Sequence, residues 1–531
     1  MNTSEQQKED YTLVEKTIKK LAQDNLLFCN SNDNQAYIAV QKKGRTVLPI
    51  QSEDFRTWLL GWHLEQYGKV LRRAVVEEVV QNACAIAQYI NKQTHKLGVR
   101  VSRVDDDNAN PKELYYDLGD AVVHITREGW RIIDDPPIVF RRFSHQEKQL
   151  PPEATSRKSD IELLHKFINI RNRNDWLLFL TFVISAFIPD FPKPLLLLVG
   201  APGAGKSTLM KLTKQLVDPS LIDGIGQIRN CESIIRPASK HALLYFDNIS
   251  YVNQDISDTL CGVATGTSLV NRKMYTDSDE VIYKVQRPVM LNGVTEILSR
   301  EDILDRSIPV SAQRIDRDER LNENKLMNKF NSDKPLILGA IFSILVDTLR
   351  IYPNIDLKEY PRMADFAALG FGVAEAMTGY SGDEFIKAYD AVEDRQVATA
   401  LNASPTAQAA RFLVSKTGSW QGTATDFLNF TFNDDRVATA DDLNIIQSIR
   451  EQPTWCRNVS ALGKSLNRAE ATLKNLGIVL ERGSDGSPIY RNGQRWITLT
   501  DINWQNKANN SDSETSDLGT KTTTKENKEN K

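Results

Sequence analysis

The chain has 531 residues, 41% hydrophobic and 25% charged, with a formal net charge of −3. Length allows two to four domains, and the composition excludes a fibrous or wholly disordered chain. The small net charge excludes a whole-molecule field for nucleic acid or membrane, so polyanion contacts must come from local patches. Five dispersed cysteines without a CxxC pair, and six scattered histidines, give no zinc or disulfide pattern.

The N-terminus "MNTSEQQKED" has no signal-peptide character, and residues 1–34 read as a tail and a helix over about 11–27. Residues 35–143 read as an α+β domain. Leu59, Trp62, Tyr67, Val70, Leu71, Val75, Val79 and Ile86 recur at helical spacing, and short alternating runs ("VRVSRV", "LYYDL", "AVVHIT", "GWRII") follow from 98. His124 alternates along one of these runs and reads as structural. No paired acidic cluster of primase type is present, so no priming is expected. Prolines and polar residues mark a linker at 144–160. Trp176–Ile188 is the most apolar run, too short for the ~20 residues of a membrane span, and reads as a buried helix. A cytoplasmic protein without a membrane partner is expected. The α/β domain is placed at 161–350, a helical region at 351–403, a last domain at 404–504, and a polar tail, expected to be disordered, at 505–531.

"PLLLLVGAPGAGKSTLMKL" (194–212) is an apolar strand, a glycine loop and a helix start, in which Gly200, Gly205, Lys206 and Ser207 satisfy GxxxxGK[ST]. Gly200, Ala201, Pro202, Gly203, Ala204, Gly205, Lys206, Ser207 and Thr208 form the expected ATP cradle. Backbone N–H groups curl around a β-phosphate, Lys206 reaches the β/γ oxygens, and the Ser207 hydroxyl joins a Mg2+ shell. A second apolar run, "HALLYFDNIS", ends in Asp247, placed to bind Mg2+ through water as a Walker B aspartate does. Asn248 follows where a glutamate would polarise water, which leaves the hydrolytic base unassigned. A third run, "RPVMLNG", ends in Asn292, whose amide suits the γ-phosphate or the attacking water. Arg306, with Arg300 in reserve, is the candidate for acting in trans on a neighbour's ATP.

Between the second and third runs lies "LVNRKMYTDSDEVIYKVQRP" (269–288), two β-prone stretches around a turn at 276–279. Arg272, Lys273 and Lys284 are its candidate DNA contacts, although the turn itself is acidic. Near the C-terminus, Leu462, Leu466, Ala469, Leu473 and Leu476 fall at 4-3-4-3 spacing on one helix face, with Lys464 and Arg468 on the other. Two strands follow, so the segment reads as a winged helix-turn-helix, with 460–475 as recognition helix. Residues 457–495 hold seven Lys or Arg against three Asp or Glu, which suits DNA; a protein dock is the other use of such a domain.

Taken together, the Walker A loop, the "DN" after the second strand, the hairpin, the sensor asparagine and "LDRSIPV" resemble the AAA+ helicases of phages and mobile elements. These are similar to superfamily 3 and minichromosome-maintenance-like replicative helicases. "LYYDLGDAVVHITREGWRIIDDPPIVFRR" (114–142) also looks like that group, and the resemblance runs from about 35 to 500. It implies an α/β P-loop (AAA+) core with an N-terminal α+β domain and a C-terminal winged-helix domain. It also implies a homo-oligomeric, hexameric ring with ATP between subunits, single-stranded DNA in the channel and 3′→5′ travel. A duplex or fork would lie at the winged helix, with a primase or polymerase of the same element as a further partner. Two other readings stay open: a DNA-binding AAA+ switch without processive unwinding, and a protein-remodelling motor, against which the basic hairpin speaks.

Overall fold

The computed structural model describes residues 3–504 apart from 32–34, 41–45, 92, 105–110, 202, 223, 225–226, 250–251, 267, 273–279, 294–300, 315–321, 431–438, 482–486 and 492; the tail expected to be disordered lies outside the described residues. The chain divides into two units, one of residues 1–297 and 306–392, the other of 298–305 and 393–531. The division at 392/393 falls within one continuous helix, Gly382–Ala403.

In the first unit, a helix Thr3–Asp24 leads into a sheet of Thr46–Pro49, Ala36–Val40, Asn25–Asn30 and Thr94–His95, in that order. The helices Glu53–Tyr67 and Arg73–Ala85 bury Phe55, Leu59, Val75, Val79 and Ala83 with Leu27 and Ile38 of the sheet. The helix read at 11–27 thus stops at Asp24, where the chain turns into a strand. The runs from 98 onward form a four-stranded antiparallel meander, Val101–Ser102, Leu114–Asp117, Val122–Ile125 and Trp130–Ile133. His124 sits within it, stacked on Tyr115 and within 3.2 Å of Glu113.

One face of the meander, with Leu114, Tyr116, Val123 and Ile125, shares a core with the helix Arg173–Ser185 and with Ile337, Ile341 and Leu345 of the helix Glu323–Ile351. Residues 144–160 are tied into that body, since Glu147 N–H donates to Pro219 O and Glu153 N–H to Pro335 O. Leu177–Val183 is fully buried, as its all-round apolarity requires. Helix Glu323–Ile351 is long and apolar enough for a bilayer, but 67% of its most apolar window is buried inside the protein, which is how a core helix behaves.

At the centre lies a parallel sheet in the order Leu244–Ile249, Val289–Gly293, Leu195–Val199, Ser307–Ser311. Both faces of parallel strands are covered, so the strands read as continuous apolar runs. Leu195 to Leu198 are all buried.

The second unit holds the helices Pro405–Val414, Ala424–Asn429, Ala440–Arg450 and Val459–Asn475 around a small sheet. Its strand Gln494–Asp501 pairs with Ser419–Thr423, Ile478–Leu480 and Ile489–Arg491. Leu462, Leu466, Ala469 and Leu473 are buried against Leu413, Phe427 and Leu499.

Candidate functional site

Parallel α/β sheets place their crevice beyond the carboxyl ends of the strands, and the candidate residues gather there. Strand Leu195–Val199 runs into the glycine loop, and helix Lys206–Val217 starts directly behind it with Gly205 as its cap at φ 75°. Gly200 has φ 147°, and a Cβ there would stand 2.4 Å from the carbonyl oxygen of Ala312. Gly203 has φ 83°. The loop therefore needs glycine for backbone conformation at three points and for close approach at one. Ala201, Gly203 and Ser207 are exposed, Thr208 is half-buried and Ala204 is buried; Pro202 lies outside the described residues. Lys206 Nζ donates to the carbonyls of Gly200 (2.7 Å) and Ala201 (3.1 Å), so its ammonium lies over the loop.

The neighbouring strands bring Asp247 and Asn292 together. Leu198 is the parallel partner of Asn292, and Phe246 that of Leu291. Asn292 is buried, and its Nδ2 donates to Asp247 Oδ1 at 2.7 Å. The amide thereby fixes the carboxylate's rotamer without neutralising it. Asn248 is exposed at φ 56°, where the pairing with Val289–Gly293 shifts register between Phe246 and Ile249. Asparagine tolerates that left-handed backbone better than most side chains. Among the described residues, no three His, Cys, Asp or Glu gather as metal ligands.

Arg306 lies at the other edge of the sheet. Leu195 N–H donates to Arg306 O at 2.8 Å, which sets Arg306 beside the start of the strand whose far end opens into the loop. Five strand residues separate the two edges by about 16 Å. Arg300 lies outside the described residues.

The expected hairpin forms from Ser268–Arg272 and Glu280–Lys284, antiparallel, with Arg272 opposite Glu280 and Lys284 opposite Ser268. Lys273 and the turn at 276–279 lie outside the described residues. Because the hairpin precedes Val289–Gly293, its base lies at the edge shared with Arg306. Arg287, just beyond the hairpin, is tied to the scaffold, its Nε donating to Ala238 O at 3.1 Å. In the second unit, Lys464 and Arg468 are exposed on helix Val459–Asn475 opposite its buried leucines.

A buried polar knot holds the far end of the loop helix, and no motif announces it. Asp218, fully buried, accepts from Lys214 Nζ at 2.6 Å, Arg100 Nε at 3.3 Å and Ala242 N–H at 2.8 Å. Arg100, itself at φ 62°, also donates to the carbonyls of Asp117, Glu147 and Pro219. Burial alone would raise the Asp218 carboxyl, but Lys214 and Arg100 outweigh it and hold the group well below the usual carboxylate range. Burial and then the charge of Lys214 push the adjoining His241 down to about 3. The helix that carries Lys206 is thus anchored to the meander strands by a charge network.

Residues 161–395 match the family model described as "Actinomycete integrative conjugative element replication protein", and residues 406–516 match that of the C-terminal domain of the same replication protein. No curated protein matches the chain. Among solved structures, two apo forms of the NrS-1 C-terminal region are similar at 10% and 9% identity. They cover 91% and 92% of this chain and 98% of their own, with TM-scores of 0.41 and 0.39.

Proposed function

We propose that this chain, a replication protein of the mobile-element kind described by both matched models, is an ATP-driven DNA helicase that works as a ring. The observation that carries the reading is the convergence, at one sheet edge, of a glycine cradle with Lys206 and of Asp247 held by Asn292. We read the first unit as an AAA+ P-loop core preceded by an α+β region, and the second as a winged-helix domain.

The residues fit a nucleoside triphosphate with Mg2+. Gly200, Gly203 and Gly205 turn the loop through left-handed backbone without side chains, and the N-terminus of the loop helix gives donors to a phosphate. Lys206, resting on two carbonyls, is free to exchange them for phosphate oxygens. Ser207 and Asp247 would hold the metal, a set typical of Mg2+, which takes one or two carboxylates beside substrate phosphates. Held there, the ion would supply positive charge against the charge that develops on the transferred phosphate. Asn292 orients Asp247, and the amides of Asn292 and Asn248 are available to the attacking water. Arg306 is too far from its own loop to touch a bound γ-phosphate, so it serves a neighbour. Such head-to-tail contacts close into rings, here a hexamer. The hairpin bearing Arg272, Lys273 and Lys284 tracks a single strand by its phosphates, and Lys464 and Arg468 hold duplex or fork. The protein acts in the cytoplasm beside a primase or polymerase of its element.

ATP hydrolysis with and without single-stranded DNA tests this. Wild type should be stimulated by DNA, whereas Lys206→Ala and Asp247→Asn should be inactive. Hydrolysis that persists in Lys206→Ala contradicts it. The exposed basic helix in a unit of its own also favours a DNA-binding switch; stimulated hydrolysis without strand displacement would select that reading.

A further inference from the structure

We infer that the second unit carries a base-stacking site on its last hairpin, formed by Tyr490 beside its cross-strand partner Arg495, that takes the first unpaired base at a junction of single- and double-stranded DNA. The inference rests on the DNA reading above and goes beyond it in naming the part of the DNA that is recognised.

Strand Ile489–Arg491 pairs with Gln494–Asp501 so that Tyr490 stands opposite Arg495 and Ile489 opposite Trp496. Cross-strand partners share a face, so the hairpin has a Tyr490/Arg495 face and an Ile489/Trp496 face. On the second, the Arg491 guanidinium lies 4.9 Å from the Trp496 ring centroid and covers it. On the first, Tyr490 is 64% exposed, whereas Phe412, Trp420, Phe427 and Phe430 of the same unit are buried.

Arg495 of the hairpin rests on the helix. A Cβ at Gly463 would stand 2.1 Å from Arg495 Nη1, so the guanidinium lies directly on the helix backbone where a side chain is missing. Lys464, the next residue, and Asn467 and Arg468 one turn on are exposed. Tyr490, its cross-strand partner Arg495 and the basic helix on which Arg495 rests therefore lie on one side of the hairpin. Cations alone suffice to follow a duplex backbone. A ring adds affinity only where a base offers a bare face, and inside a duplex both faces of every base pair are already stacked. An unpaired base at a junction has such a face, and stacking on it tolerates any sequence.

The test uses the full chain without nucleotide, a forked duplex and a blunt duplex of the same sequence, and 5-iodouracil at the first unpaired position of the fork. Tyr490→Ala should weaken fork binding about five- to a hundredfold and leave the blunt duplex within about twofold. Tyr490→Phe should keep both affinities, and photocrosslinking should map to Tyr490. Unchanged fork binding in Tyr490→Ala, or equal loss on both DNAs, overturns the junction site. The Lys464→Ala/Arg468→Ala double variant separates the two levels: if it loses both DNAs while Tyr490→Ala loses neither, the DNA reading stands and this inference falls. Wild type that binds neither DNA removes both.

Discussion

Replacing Asp218 by Asn keeps the shape of the side chain and deletes its charge. In the folded protein that leaves Lys214 and Arg100 facing each other in a buried site with no carboxylate between them. Breaking a buried charge pair by removing one partner costs about 3–5 kcal/mol. Part of this is relieved because burial already lowers the Lys214 ammonium, which can shed its proton, so the loss is smaller at pH 8 than at pH 6. For a unit of this size the corresponding drop in Tm is roughly 4–6 °C. Thermal unfolding of Asp218→Asn against wild type at both pH values measures it. Because the knot anchors the far end of the helix that carries Lys206, ATP affinity should fall as well. A Tm within about 2 °C of wild type at both pH values would show that the network is not an anchor.

Gly200→Ala should abolish nucleotide binding without unfolding the protein, since its Cβ would meet the Ala312 carbonyl; titration with a fluorescent ATP analogue and a melting curve check the two halves. His241 stays neutral in the fold down to about pH 3 but is protonated below 6.5 when unfolded. Its contribution is therefore complete above pH 6.5 and is lost as pH falls, by up to about 2 kcal/mol at pH 5, which denaturant titration across that range would register. Mixing Lys206→Ala with Arg306→Ala should restore ATPase activity above the sum of the two inactive proteins, because mixed rings contain some sites with an intact loop and an intact partner arginine; additive rates would place Arg306 outside the neighbour's site. Gly463→Ala pushes Arg495 off the helix; its gain in helix propensity offsets the clash to within about 1 kcal/mol, so fork preference should fall while Tm barely moves.

Where one local pattern dictated one structure, the sequence was legible. The apolar run around Trp176–Phe187 had to be a buried helix, and the runs ending in Val199, Asp247 and Asn292 had to be buried strands. The leucine spacing from Leu462 fixed the inward face of its helix. Less could be read from "NLLFCN" and "AYIAV", since short apolar runs fit a helix or a strand equally well. The Asp247–Asn292 side-chain bond spans 45 residues and depends on the parallel pairing of their strands, visible only once the strand order is known. The Arg100–Asp218 pair spans 118 residues and has no motif at all.

Unwinding of a forked duplex addresses the central claim most directly. Wild type with ATP should displace the strand, Lys206→Ala should not, and the Arg272→Ala/Lys273→Ala double variant should hydrolyse ATP without displacing it and without responding to DNA. Strand displacement by the hairpin variant at the wild-type rate would contradict the account.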